Sequence, residues 1–399
     1  MFTHGANIPY NKRKKKEIVK MKKLTFKILA ISALLASALF ITGCSKKAKL
    51  TPVEIEAVKF QHENITVTVD PKSEIILAAL RLTEKEPFNQ NYYGQEYGQY
   101  IDGLDKLLAK QKDHPFVKTL KANYDPQKTY VTEFLKITRY ISDDLTSISI
   151  TKKELPEEMK PFWKKMDLNQ FLADMNDFAV QSNFARIWVL YNPHLKRQAI
   201  NVMDYYKSLP QITNWISDFY FAENNKPDFE LFATTATAGY FYTPTMIKKE
   251  NKTIVQNYVP AYIYDKDYPE YSINPTLILS RSIIDSCVFE NWNLISEPYN
   301  KILDKILEDN QITVKYTEEN KKELLSKLFA IACIFNYEYV QNDEEISTQL
   351  ENMISQSFLI KEPEKILSMA DYYIDNRETY PDFGIFFKDY ITAAIKDLQ

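Results

Sequence analysis

The sequence predicts an α+β fold, predominantly helical, with a small central sheet and a helical C-terminal region. Three observations predict it: apolar residues recur at helical spacing along most of the chain, aromatic and β-branched residues gather in one middle stretch, and glycine is scarce. Of 399 residues only 7 are glycine, whereas 27 are tyrosine and 23 phenylalanine, so there is ample aromatic mass for a core. A hairpin-rich all-β chain needs many more residues that accept positive φ.

The first element is a leader. Met21 to Lys27 is short and basic and runs into Ile28 to Ile41, which carries no charge. That apolar run falls short of the ~20 residues a helix needs to cross the hydrocarbon of a bilayer. It ends in Ile41-Thr42-Gly43-Cys44, where small residues before a cysteine resemble the bacterial lipobox. The resemblance implies cleavage before Cys44 and acylation of that cysteine, so residues 1–43 are read as a lipoprotein signal peptide and 44–51 as a lipidated tether. The residue after Cys44 is Ser45 rather than Asp, which by the same resemblance implies the outer membrane in a cell with two membranes. Lys12-Arg13-Lys14-Lys15-Lys16 is read as a lengthened n-region or a stretch before the true start at Met21, not as a nucleic-acid patch.

The remainder, residues 52–399, is read as a single large α+β domain with a candidate subdivision near residue 270. Val53, Ile55 and Ala57, then Ile65, Val67 and Val69, alternate with polar residues and predict two strands before Asp70-Pro71. Ser73 opens a predicted helix over Glu74 to Leu82, and further helices are expected over Gln95 to Ala109, Pro115 to Ala122 and Thr129 to Ser142. Phe171, Leu172, Met175, Phe178 and Ala179 have the spacing of one helix face. Asp228 to Thr235, Tyr240 to Thr245 and Thr253 to Tyr264 predict the sheet. From Pro275 onward helices are predicted over Leu277 to Phe289, Ile295 to Glu308, Lys322 to Tyr339, Ile346 to Phe358, Pro363 to Tyr373 and Phe383 to Asp397.

Removing residues 1–43 takes away nine Lys or Arg and one Glu, leaving 41 basic and 52 acidic residues and a net charge of about −11. A chain this acidic is a poor partner for nucleic acid, whose phosphates demand a basic surface. Cys287 and Cys333 both sit in apolar helical stretches and are expected to be buried free thiols. His62, His114 and His194 lie far apart, with no metal-ligand spacing, CxxC pair, phosphate loop or nucleophile elbow nearby. The sequence calls for no cofactor. Acidic runs such as Asp143-Asp144 and Asp343-Glu344-Glu345 read as solvated faces.

Val67-Thr68-Val69-Asp70-Pro71-Lys72-Ser73-Glu74-Ile75-Ile76 resembles the opening of the bacterial domain-of-unknown-function 4932 family. Lys112-Asp113-His114-Pro115 and the stretch Asp177 to Phe184 resemble two further motifs of it, so the likeness covers roughly Ile65 to Cys333. Members of that family typically carry an HExxH helix, which implies a zincin-like scaffold. There the two His ligate zinc from one helix face and the Glu serves as base. In this chain the best register puts Arg281-Ser282-Ile283-Ile284-Asp285 on that motif, with Ser286-Cys287-Val288 as its continuation, and Glu323 where a third ligand would come from a later helix. Arg281 has no lone pair to give and is permanently charged, and Ser282 cannot replace the carboxylate base. Arg281 and Asp285, four apart on a helix, fit either a buried pair in the metal's place or an ordinary exposed one.

The expectation is therefore no catalytic residue and no metal ligand: a membrane-anchored envelope lipoprotein, related to zinc metallopeptidases but non-catalytic, that binds peptide or an envelope protein. Two other readings follow from the same residues. One is an active hydrolase using the carboxylates of Asp285, Glu290 and Glu323 clustered in a buried pocket. The other is a structural or glycan-binding lipoprotein with an exposed Tyr and Trp patch.

Overall fold

In the computed structural model, which describes residues 50–85, 88, 95–125, 131–156, 159–208, 210–236, 243–249, 252–261, 275–309, 316–337, 348, 352 and 363–397, the chain enters the fold as a strap. Val53 N–H donates to Asp144 O at 3.0 Å, Thr51 exchanges hydrogen bonds with the Asn176 side chain, and the Trp188 indole N–H donates to Glu56 O at 2.9 Å. Side chains and a loop thus satisfy this backbone. The strand expected over Val53 to Ala57 therefore forms later, as β1 (Val58–His62), antiparallel to β2 (Ile65–Val69) across a tight turn with Glu63 at φ 49°. Ile65, Val67 and Val69 are buried, as their alternation predicts.

Asp70 ends β2 and caps α1 (Pro71–Arg81): its carboxylate accepts from the amides of Lys72 and Ser73, and Pro71 fills the first turn. The cap lies three residues earlier than the predicted Ser73. Nearly all of α1 is buried, so this helix has almost no polar face. Then come α2 (Gln95–Leu108), α3 (Pro115–Asn123) and α4 (Val131–Leu135). The last tightens into a 3₁₀ turn over Lys136–Tyr140, so the single helix expected over Thr129 to Ser142 is shorter and broken. Next, α5 (Leu168–Gln181) carries the predicted apolar face and is capped by Asp167. Two helices that periodicity does not assign follow it, α6 (Phe184–Ser208) and α7 (Pro210–Tyr220).

The sheet is mixed, in the order β1-β2-β3-β5-β4, with β3 (Asp228–Thr234), β4 (Thr243–Lys249) and β5 (Lys252–Pro260). Its central strands β2, β3 and β5 run parallel, in a register that aligns Val67, Leu231 and Asn257, and an antiparallel hairpin strand closes each edge. The N-terminal hairpin thus joins the middle sheet through a helical crossover, consistent with the length a parallel connection needs. Helix α6 packs on β1 and β2.

Beyond the sheet, α8 (Pro275–Asp309) packs on β4 and β5. It is one helix where two were expected, because Pro298 is accommodated inside it. Helix α9 (Glu318–Ile334) begins in a capping box made by Thr317 and Asn320 and lies along α8. The last helices are α10 (Pro363–Asp375) and α11 (Phe383–Phe386), the latter continuing as a π turn over Phe387–Ile391 and then α12 (Thr392–Asp397). The helix expected over Ile346 to Phe358 lies outside the described residues, apart from positions 348 and 352. Phe219, Tyr220, Tyr373, Phe383 and Phe386 pack ring on ring between α7 and the C-terminal helices, with centroids 4.7 to 5.3 Å apart for the closest pairs. Cys287 and Cys333 are free and buried. Leu50–Gln399 form one compact unit.

Candidate functional site

The three positions singled out on α8 turn in two directions. Arg281 is only 2% exposed, and its Nε donates to Asp285 Oδ1 at 3.2 Å, so the pair is the buried version of the two arrangements its spacing allows. Helix α9 completes the cluster. Ser326 lies beside Asp285, and Glu323 stands close enough to repel its charge. Burial, and then Arg281, hold the ammonium of Lys327, one turn further along α9, below its ordinary pKa, with Glu323 opposing. Burial raises the Asp285 carboxyl above its ordinary range, while Arg281 and Ser326 pull the other way. Glu323 thus lies near the Arg281–Asp285 pair, as part of a mixed-sign charge group on two packed helices.

Ser282, fully buried, faces the sheet instead, and its Oγ accepts from Asn257 Nδ2 of β5. These residues do not fit a zinc ion. Position 281, expected from the resemblance to hold a ligand, carries a guanidinium already bound to Asp285, and position 282, expected to hold the base, carries a hydroxyl tied to an amide. Among the described residues no group of three His, Cys, Asp or Glu side chains is arranged to hold a metal.

Among the described residues the three histidines are placed apart. His62 is exposed on β1. His114 caps α3, its Nδ1 accepting from Phe116 N at 3.1 Å, which leaves Nε2 to donate to Asp177 Oδ2 at 3.1 Å. His194, on α6, stacks on Tyr100 of α2 at 4.6 Å, and burial lowers its pKa to about 4. It is neutral at physiological pH.

A second buried cluster escaped the sequence reading. Glu74 of α1 is 1% exposed at the carboxyl edge of the parallel strands. Its Oε1 accepts from Thr235 N at 2.6 Å, and its Oε2 accepts from Thr235 Oγ1 and Ala236 N, each at 2.7 Å. Tyr100 Oη lies 3.3 Å from Thr235 Oγ1. Burial pushes the Glu74 carboxyl up to about 7 against the pull of those donors. Both oxygens are engaged by the end of β3, so the group acts as a latch between α1 and the sheet. The available signal was a lone acid in a helix without a polar face.

Chemistry by clustered carboxylates finds little geometry: Asp285 is largely buried, but Glu290 and Glu323 are exposed, and Glu290 accepts from Ser286 Oγ at 3.2 Å at the surface. Nor do Trp and Tyr form an open platform among the described residues. Trp163, Trp188 and Trp292 are buried, Trp215 is half-buried, and among the described tyrosines Tyr372 alone is exposed. No described helix is long and apolar enough to cross a membrane, and Cys44 lies outside the described residues. Comparison of the chain with protein-family models, curated proteins and solved structures finds no match.

Proposed function

We propose that the mature chain is a lipid-anchored cell-envelope protein of the domain-of-unknown-function 4932 type, a non-catalytic relative of zincin-like peptidases that binds peptide or another envelope protein. The observation that carries the reading is the buried Arg281–Asp285 pair on α8, at positions the resemblance gives to the metal-binding motif, with the exposed Glu323 of α9 near enough to act on Asp285. Supporting the anchor are the basic start, the uncharged run too short to span a bilayer, and Cys44 behind two small residues. Attachment through lipid on Cys44, in the outer membrane where a cell has two, follows from that layout.

Incubation of the mature protein with a mixed-sequence peptide library, followed by mass spectrometry of the products, tests the non-catalytic half. No cleavage above buffer is expected, with or without added zinc. Zinc-dependent cleavage that disappears in Asp285→Asn would overturn it.

A further inference from the structure

The outward face of α6 differs in charge from the rest of this acidic chain. Val189 and Leu190, next to each other, are 73% and 61% exposed, and Ile200 is exposed three turns on. On the helix itself stand the exposed cations Arg186, Lys196, Arg197 and Lys207 against one exposed acid, Asp204, and the strap bound to Trp188 adds the exposed Glu54 and Glu56. The mature chain as a whole carries an acidic excess of about 11, so this stripe of apolar and basic side chains is a local inversion. Apolar side chains ringed by cations are what an anionic lipid surface attracts.

Where the chain leaves the fold says which surface this face meets. The strap at residues 51–56 is fastened to the same part of the molecule, Thr51 to Asn176 of α5 and Glu56 O to the indole of Trp188, the residue before Val189. Seven residue steps separate Cys44 from Thr51, and an extended chain covers at most ~3.6 Å per step, so an anchor at Cys44 lies within about 25 Å of that fastening. Lipid there holds α6 close to the bilayer, at an effective concentration that makes a weak docking surface sufficient.

We infer that the outer face of α6 docks on the anionic membrane surface to which Cys44 is tethered, fixing the orientation of the domain. This rests on the lipid-anchor reading above, and the experiment separates the two. The mature lipidated protein, carrying Leu190→Cys labelled with a polarity-sensitive fluorophore, is mixed with vesicles containing one-third phosphatidylglycerol or with neutral phosphatidylcholine vesicles. Cys287 and Cys333 are buried and escape labelling. A label at Ile374→Cys, exposed on α10, serves as control.

The expected result is flotation with both vesicle types, a blue shift at position 190 on the anionic ones alone, and no shift at position 374. Arg186→Gln together with Lys196→Gln lowers the docking equilibrium about twenty-fivefold, from roughly fivefold per surface cation, and salt near ~0.5 M does the same by screening. If the protein floats while the label at 190 stays in water, the docking is wrong and the anchor stands. If intact mass shows Cys44 unmodified and nothing floats, the anchor reading fails and takes the docking with it. A blue shift that grows with protein concentration in the absence of vesicles assigns the face to a second copy of the chain and overturns the inference.

Discussion

Arg281→Met is expected to destabilise the domain by about 3–5 kcal/mol at neutral pH, among the largest effects of any single substitution outside the aromatic core. The cause is not the loss of an attraction in water. Arg281 and Asp285 are both withdrawn from solvent, with side-chain exposures of 3% and 15%, so removing the cation leaves a largely buried carboxylate near Glu323 without its ion-pair partner. The same argument predicts two further results. Acid should relieve the defect, because the Asp285 carboxyl, already raised by burial, rises further without Arg281 and takes up a proton on folding. Stability of the variant then falls as pH rises through the carboxylate range. Arg281→Met combined with Asp285→Leu should recover most of the loss, since an apolar pair of similar volume needs no compensation between packed helices. Urea midpoints of the three variants at pH 5 and pH 8 check this. A single variant with wild-type stability at both pH values would place the pair in solvent.

Glu74→Ala carries the second large effect, with the opposite pH dependence. Truncation removes the acceptor for the buried amides of Thr235 and Ala236, at about 1–3 kcal/mol each, so a loss near ~4 kcal/mol is expected at pH 4.5. The wild-type carboxyl titrates at about 7 in the folded chain against 4.5 as its ordinary value. A carboxyl raised on folding stabilises fully below its unfolded pKa, and that contribution is lost as pH rises through the folded value. The difference of about 2.5 units corresponds to roughly 3 kcal/mol lost between pH 4.5 and 8. The gap between wild type and Glu74→Ala should therefore be widest in acid and shrink towards pH 8. Denaturant titrations across that range measure it, and a gap that widens with pH would mean that Glu74 is held as a carboxylate throughout.

Much of the framework was legible where a local signal had one structural meaning. Pro115 behind His114, the apolar face from Phe171 to Ala179 and the Ile65-Val67-Val69 alternation each lead to the element they predict. Signals with two meanings misled. Alternation at Val53, Ile55 and Ala57 reads as a strand, yet the segment is a strap bound by Asn176 and Trp188, with Val53 buried, Ile55 half-buried and Ala57 exposed. In α6 the aromatic and β-branched run Ile187-Trp188-Val189, with Pro193 inside the helix, hides a helical period that only packing on β1 and β2 makes stable.

The same distinction holds at the site. The i, i+4 spacing of Arg281 and Asp285 was readable, but whether the pair is wet or dry depends on α9 lying across it. The bond from Asn257 to Ser282 joins a strand to a helix 25 residues on, and the Glu74 latch spans 161 residues. Neither leaves a periodic trace.

On the proposed reading, Arg281 and Ser282 on α8 exclude a metal centre there. Zinc measured in the mature protein after dialysis, followed by calorimetric titration with zinc at pH 7.5, tests it most directly. The account predicts no stoichiometric metal and no site of micromolar or tighter affinity. One equivalent of zinc that survives dialysis in the wild type and is lost in Asp285→Asn would contradict it.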